Sequence, residues 1–120
     1  MKLNEFEFEG KKYFHSPDLR TWDEWMAEKE NGLYLLPKRR LYKIPRDLLV
    51  LLPGVLAGYR STSGSFYFRD DDAYIWSSSQ YDSTYAWCRY LYYSFAQVFL
   101  DTNGKANGFS AILERRGKHE

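Results

Sequence analysis

Catalysis needs groups of matched pKa held within hydrogen-bond reach of one another, and this chain offers few. Its two histidines, His15 and His119, stand in a hairpin flank and in the tail. Neither neighbours a serine or cysteine nucleophile motif, and no glycine-rich phosphate loop or His-Glu-x-x-His is present. The single cysteine, Cys88, excludes a disulfide within the chain and any metal site built on a cysteine pair. Asp70, Asp71 and Asp72 are the one acidic cluster. Three consecutive carboxylates cannot all converge on one calcium ion, so a solvated loop is the expectation there. No catalytic residue, cofactor or metal ion is expected.

The chemistry that remains is recognition. From Trp76 to Arg116 runs a dense mixture of Tyr, Phe, Ser, Asp and Thr, and six of the eleven tyrosines fall between Tyr74 and Tyr93. Tyr supplies wide, rigid contact area at low entropic cost, and Ser and Asn supply adaptable hydrogen bonds. Alternation over Ala86–Tyr93 sends Trp87, Arg89, Leu91 and Tyr93 one way and Cys88, Tyr90 and Tyr92 the other. The spacing predicts the first set inward, with Arg89 paired or snorkelling, and the second set outward. In the next run Val98 and Leu100 are expected inward, Phe99 and Asp101 outward. Asn103-Gly104 is a type I′ turn signal, and Phe109, Ala111 and Leu113 form the last inward set. Trp76, Trp87, Leu91, Val98, Phe109 and Ala111 are the expected core. A blander reading of the same tyrosines is that they favour strands and pack on cross-strand neighbours.

Several landmarks occur in a fixed order: Gly58-Tyr59-Arg60, Ser63-Gly64-Ser65-Phe66, Tyr74-Ile75-Trp76-Ser77-Ser78-Ser79, Ala86-Trp87, Lys105-Ala106-Asn107-Gly108-Phe109-Ser110 and Arg115. In order and spacing the chain resembles the bacterial major paralogous domain family called Fib_succ_major. It equally resembles the variable proteins of diversity-generating retroelements. Both are similar to the C-type lectin folds of the formylglycine-generating-enzyme type. The likeness covers about half the chain, Pro53 to Arg116.

The resemblance implies an α+β, C-type lectin-like fold with short helices and a small antiparallel C-terminal sheet. In the retroelement group it implies codons rich in adenine that are rewritten at particular positions. The matching positions are Cys88, Tyr90, Tyr92, Ser94, Phe95, Phe99, Asp101 and Thr102. Each of these residue types lies one or two adenine changes from an Asn codon, whereas Gln97 cannot arise that way. The cysteine pair on which formylglycine-generating enzymes depend is missing, as are the residue pairs of calcium-dependent lectin sites. The expectation is a non-enzymatic protein whose variable, Tyr-rich surface binds a protein or glycan. The alternative is a structural or adhesive paralogous-domain module without a diversified site, and a degenerate enzyme fold is a weaker third.

The elements that must position this surface are read as one domain over 1–120, with a hairpin and helices in 1–52, the family-like segment in 53–116 and the variable region in 76–116. Glu5-Phe6-Glu7-Phe8, then Gly10-Lys11, then Tyr13-Phe14 predict a hairpin, broken at Ser16-Pro17-Asp18. Thr21 to Lys29 predicts a short helix with Trp22, Trp25 and Met26 on one stripe. Thr21 and Glu24 form a capping box, and Gly32 stands where a left-handed residue ends the helix. Trp22 and Trp25 are expected in the core. Leu33–Leu36 reads as strand or linker, Lys38-Arg39-Arg40 as a solvated basic turn, Arg46–Leu52 as a second helix or a strand, and Ser65–Phe68 as a strand. A net charge of +1 recruits neither nucleic acid nor anionic membrane. The acid-studded start is no signal peptide, and Leu48–Leu56 is too short to span a bilayer. The expected location is therefore the cytoplasm, or a virus particle or surface complex reached through a partner.

Overall fold

A computed structural model describes residues 1–94 and 98–116. The strands are β1 (Asn4–Phe8), β2 (Lys11–Arg20), β3 (Leu33–Leu35), β4 (Tyr59–Arg60), β5 (Phe66–Tyr67), β6 (Asp72–Gln80), β7 (Tyr85–Tyr92), β8 (Val98–Gly104) and β9 (Phe109–Arg115). Between them lie three short helices, α1 (Trp22–Met26), α2 (Lys38–Lys43) and α3 (Arg46–Leu49), with a 3₁₀ turn at Ala27–Asn31 after α1. The result is a mixed α/β fold, mostly strand, with a second small sheet made by β4 and β5.

The main sheet runs β1-β2-β9-β6-β7-β8, and β3 also pairs with β9. Its last strand is thus central. β9 lies antiparallel to β2 and β3 but parallel to β6, so the expected purely antiparallel C-terminal sheet is corrected to a mixed one. The expected turn at Asn103-Gly104 is corrected with it. Both residues end β8, and Gly104 is absent from the positive-φ glycines. The chain is instead drawn across the sheet. The Lys105 N–H donates to Thr84, the Lys105 carbonyl accepts from Trp22 N–H, and Gly108 and Arg60 exchange two backbone hydrogen bonds. With those partners, 105–108 carries the chain over β6 and β7 rather than back along β8.

The sheet is covered on both faces. On one, Tyr13, Ala73, Ile75, Leu91 and Ile112 pack under Leu36, Leu41, Ile44, Leu49, Leu52 and Val55. On the other, Trp76, Cys88, Phe109, Ala111 and Leu113 pack under Trp22 and Trp25. Both indoles are pinned as well as buried: Trp25 Nε1–H donates to the Phe109 carbonyl and Trp22 Nε1–H to that of Ser77, each at 2.8 Å. The capping box forms as read, with Thr21 Oγ1 accepting from Glu24 N–H and Glu24 Oε1 accepting from Thr21 N–H. Gly32 closes the 3₁₀ turn at φ 78°.

Coverage on both faces explains where the alternation misled. A period of two sorts residues into two faces but does not say that one of them is wet. Leu91, Trp76, Phe109 and Ala111 are buried as expected, but so is Cys88, at 0% exposure. Its outward placement is corrected: its thiol donates to the Asp101 carbonyl at 3.3 Å. Trp87, expected in the core, is half-buried, lying edge-on to Tyr81 with the Lys38 ammonium over its ring. Leu100 and Tyr93, also expected inward, are 47% and 71% exposed: Leu100 stands on β8, the last strand of the sheet, and Tyr93 lies in the turn beyond β7. The side chain of Val98 lies outside the described residues. Arg89 does sit inside, its Nη1 donating to the Leu41 carbonyl at 2.7 Å, and burial lowers its pKa to about 10.

Three local readings also change. β2 is not broken at Ser16-Pro17-Asp18 but runs on to Arg20 with a register shift, a bulge being the sheet's way to carry a proline. The basic run is no solvated turn, since it forms α2 and buries Leu41. Asp72 leaves the acidic loop to start β6, where its buried carboxylate accepts from Tyr74 O–H at 3.0 Å. Among the described residues no helix is long and apolar enough to cross a membrane.

Candidate functional site

Directly opposed residues in antiparallel strands point to the same face. The register sets Tyr92 against Asp72, Tyr90 against Tyr74 and Cys88 against Trp76. On the other side of β7 it sets Tyr90 against Phe99, Cys88 against Asp101 and Trp87 against Thr102. Tyr74, Tyr90, Tyr92, Phe99 and Asp101 therefore share one face, the face that α1 covers only at its other end. Thr102 lies on the opposite face, half-buried beside Trp87.

Where α1 stops, aromatic rings take over. Starting at the edge, Phe99 meets Tyr92 edge-on at 5.1 Å, and Tyr92 meets Tyr90 at 6.5 Å. Tyr90 meets Tyr74 at 5.0 Å, and Tyr74 meets Tyr59 at 5.0 Å. The series continues into the small sheet, where Tyr59 stacks on Tyr67 at 5.3 Å and touches Phe68 at 6.2 Å. Phe109 forms the floor, stacked on Trp76 at 4.3 Å and tilted against Tyr74 at 5.3 Å. Edge-on and offset contacts of this kind suit the ring quadrupoles. Each ring is packed against the next.

The rings enclose a cleft of about 280 Å³. Tyr59 and Phe68 form one wall, Tyr74 and Phe109 the floor, and Tyr90 the far wall; Ser61, Asn103 and Asn107 supply neutral polar groups at the margin. Asn103 is held three ways: its amide donates to Tyr90 Oη at 2.9 Å, and its carbonyl accepts from Gly104 N–H and from Asn107 Nδ2.

The wall from the small sheet is set by backbone that only a few residues tolerate. Gly58 has φ +65°, and a Cβ there would lie 2.0 Å from the Tyr67 carbonyl oxygen, a contact no side chain survives. Phe68, a bulky residue, stands in the left-handed region at φ 59°. Non-glycine residues pay about 1–2 kcal/mol for that conformation, and it persists here because the neighbouring bonds determine it. The Phe68 carbonyl accepts from both Asp71 and Asp72 N–H, Asp70 N–H donates to Leu56, and Gly58 N–H donates to Asp72.

Burial raises the Tyr74 and Tyr90 phenols above their ordinary range, and raises Tyr92 as well. The Asp72 carboxylate strengthens the effect at Tyr74 and Tyr92. Burial pushes the Cys88 thiol up to about 12. All four stay protonated near neutrality, so they act as apolar surface and neutral hydrogen-bonding groups, not as nucleophiles. Among the described residues no group of three His, Cys, Asp or Glu side chains is placed to hold a metal ion.

Of the positions read from the sequence, Tyr90, Tyr92, Phe99 and Asp101 come together on this face. Ser94 is exposed in the turn beyond β7, Cys88 lies beneath the face, Thr102 lies behind it, and Phe95 is outside the described residues. Sequence reasoning missed Tyr59, Ser61, Phe68, Asn103 and Asn107. The first three reach the cleft from a hairpin remote in the chain, and Asn103 was taken for a turn residue. The one signal pointing to them was the pair Gly58 and Gly108, glycines beside aromatics, each marking a close backbone approach. Compared with known proteins, the chain matches no family model, no curated protein and no solved structure at a significant level.

Proposed function

We propose that the chain is a non-enzymatic ligand-binding protein presenting the ring face of β6, β7 and β8 on a C-type lectin-like scaffold. The observation that carries this reading is the unbroken series of rings from Phe99 through Tyr92, Tyr90 and Tyr74 to Tyr59. Tyr74 and Tyr90 are held by hydrogen bonds, and of the outer members Tyr92 is half-buried and Phe99 is exposed. The series leaves the core at Tyr74, runs through the half-buried Tyr90 and Tyr92 and ends at Phe99, 37% exposed on the edge strand. Aromatic surface that reaches solvent in this way is what interaction sites use. The partner is a protein or a glycan surface.

The likeness to retroelement variable proteins adds that the outer positions are diversified. Tyr90, Tyr92, Ser94, Phe99 and Asp101 are then the ones that meet the ligand, with Cys88 and Thr102 changing the support beneath and behind them. Reading the DNA around the coding segment tests this directly. Diversification requires a neighbouring reverse transcriptase gene and a near-duplicate of the segment that differs at adenines. Tandem homologous domains in one reading frame, without that duplicate, would favour the alternative of an adhesive paralogous-domain module.

A further inference from the structure

We infer that the cleft between the small sheet and β7 binds a single neutral sugar ring, without calcium. The inference rests on reading the ring face as a ligand surface and assigns a ligand class to one part of it. Four features of the cleft point the same way.

Its volume, about 280 Å³, falls just under the ~300–1,000 Å³ of sites for drug-sized ligands. It therefore takes one ring-sized group, not an extended chain. Its lining mixes two chemistries: five aromatic rings, and three neutral polar side chains, Ser61, Asn103 and Asn107. A sugar ring has the matching pair, an apolar C–H surface and a rim of hydroxyls. Each of the three polar side chains has a partner within the protein, Ser61 with Ser63 and Asn103 with Tyr90 and Asn107. Each keeps capacity for a further hydrogen bond that an aromatic side chain from a protein partner would not use. A buried polar group left unpaired on binding is costly, so the margin selects for a ligand with several hydroxyls.

Charge narrows the class. No Lys, Arg, Asp or Glu is among the lining residues. The Asp72 carboxylate is already bonded by Tyr74 O–H. The Arg60 side chain packs against Gly108 and acts on Glu24, away from the cleft. A sulfated or carboxylated sugar would find no counter-charge and would lose its hydration, whereas a neutral hexose loses little. The strained backbone is the fourth observation. Phe68 holds its ring at the mouth of the cleft in a conformation that glycine would adopt more easily. Its ring is 51% exposed and packs on Tyr59 and Tyr67 rather than in the core.

The test uses the full chain and backbone amide NMR, with methyl glycosides of glucose, galactose and mannose as probes. Glucuronate and N-acetyltyrosinamide serve as comparators, all in the presence of EDTA. At least one neutral glycoside is expected to shift the amide signals of Tyr59, Tyr90, Asn103 and Asn107, with glucuronate weaker and N-acetyltyrosinamide without effect there. Asn107→Ala should weaken that binding about fivefold, the loss of one ordinary hydrogen bond. Phe68→Gly should weaken it at least as much while leaving the melting temperature unchanged or higher, a combination that a purely structural role for Phe68 would not give. Phe99→Ala, outside the cleft, should leave the glycoside shifts intact. If no neutral glycoside shifts those signals, or N-acetyltyrosinamide does so in their place, the inference is wrong. It is equally wrong if Phe68→Gly binds as the parent chain does. Should it fall while Phe99→Ala still abolishes binding to a macromolecular partner, the reading of the wider face stands without it.

Discussion

Tyr74 and Tyr90 stand directly opposite one another on β6 and β7, their ring centroids 5.0 Å apart and their planes at 66°. Tyr74 is buried and bonds Asp72, while Tyr90 is half-buried and bonds Asn103. This pair is the seam between core and surface. Inward of it the rings support the fold, and outward of it they are available to a ligand.

A gradient in stability follows. Phe99→Ala, at 37% exposure on the edge strand, should change stability by no more than about 1 kcal/mol. Tyr90→Ala should cost about 2–4 kcal/mol, since it empties a packed position and removes the acceptor of the Asn103 side-chain amide. Chemical denaturation of the two variants measures this. Equal costs would mean that the seam lies elsewhere.

Acid should destabilise the protein through His15. Its imidazole is fully buried, and neither ring nitrogen completes a hydrogen bond among the described residues. Burial lowers its pKa from 6.5 to about 4, with the nearby Pro53 carbonyl acting in the other direction. The native state thus favours the neutral ring. The resulting stability is fully present above pH 6.5 and is lost as pH falls towards 4. The loss should approach about 3 kcal/mol. Melting curves from pH 7 to pH 4 on the parent chain and on His15→Leu isolate this contribution: the variant should fall less steeply, and parallel curves would refute the assignment.

Gly58→Ala should be severely destabilising or displace the small sheet, because the new Cβ would strike the Tyr67 carbonyl and Phe68 backbone. A cost above about 2 kcal/mol is expected from the positive φ and the collision together. Gly10→Ala makes a matched control, since nothing lies within 4 Å of a Cβ there and its φ is also positive. The excess at Gly58 over Gly10, read by denaturation, measures the close approach alone.

Folding should be indifferent to calcium. The Asp70–Asp72 segment spends its backbone on Phe68 and Leu56, and the Asp72 side chain faces Tyr74. Adding a chelator at fixed protein concentration should leave the melting temperature in place. A marked fall would reveal an ion stabilising the native state by mass action.

Much of the fold was legible wherever one short-range rule governs. The capping box at Thr21, the left-handed Gly32 and the terminal hairpin depend on neighbours a few residues away, and the helical spacing of Trp22 and Trp25 marks the stripe that is buried. What could not be read is what depends on the far side of the chain. β9 joins β6 in parallel, and no hairpin signal marks a parallel pairing. Cys88 and Leu91 are buried on opposite faces because helices cover both, and a period of two cannot report that. The same limit applies to the site. Tyr90, Tyr92 and Phe99 share a segment whose alternation is visible in the sequence, whereas Tyr59 and Phe68 join them only through the folded hairpin.

The most direct measurement compares the parent chain with the Tyr92→Ala/Phe99→Ala double variant on one array of immobilised glycans and proteins. Both chains are first shown to melt at closely similar temperatures, so that any difference reports the surface. The account predicts that features bound by the parent chain lose most of their signal with the variant, because well-buried aromatic anchors contribute about 2 kcal/mol or more each. Undiminished binding by the folded variant to the same features would contradict it.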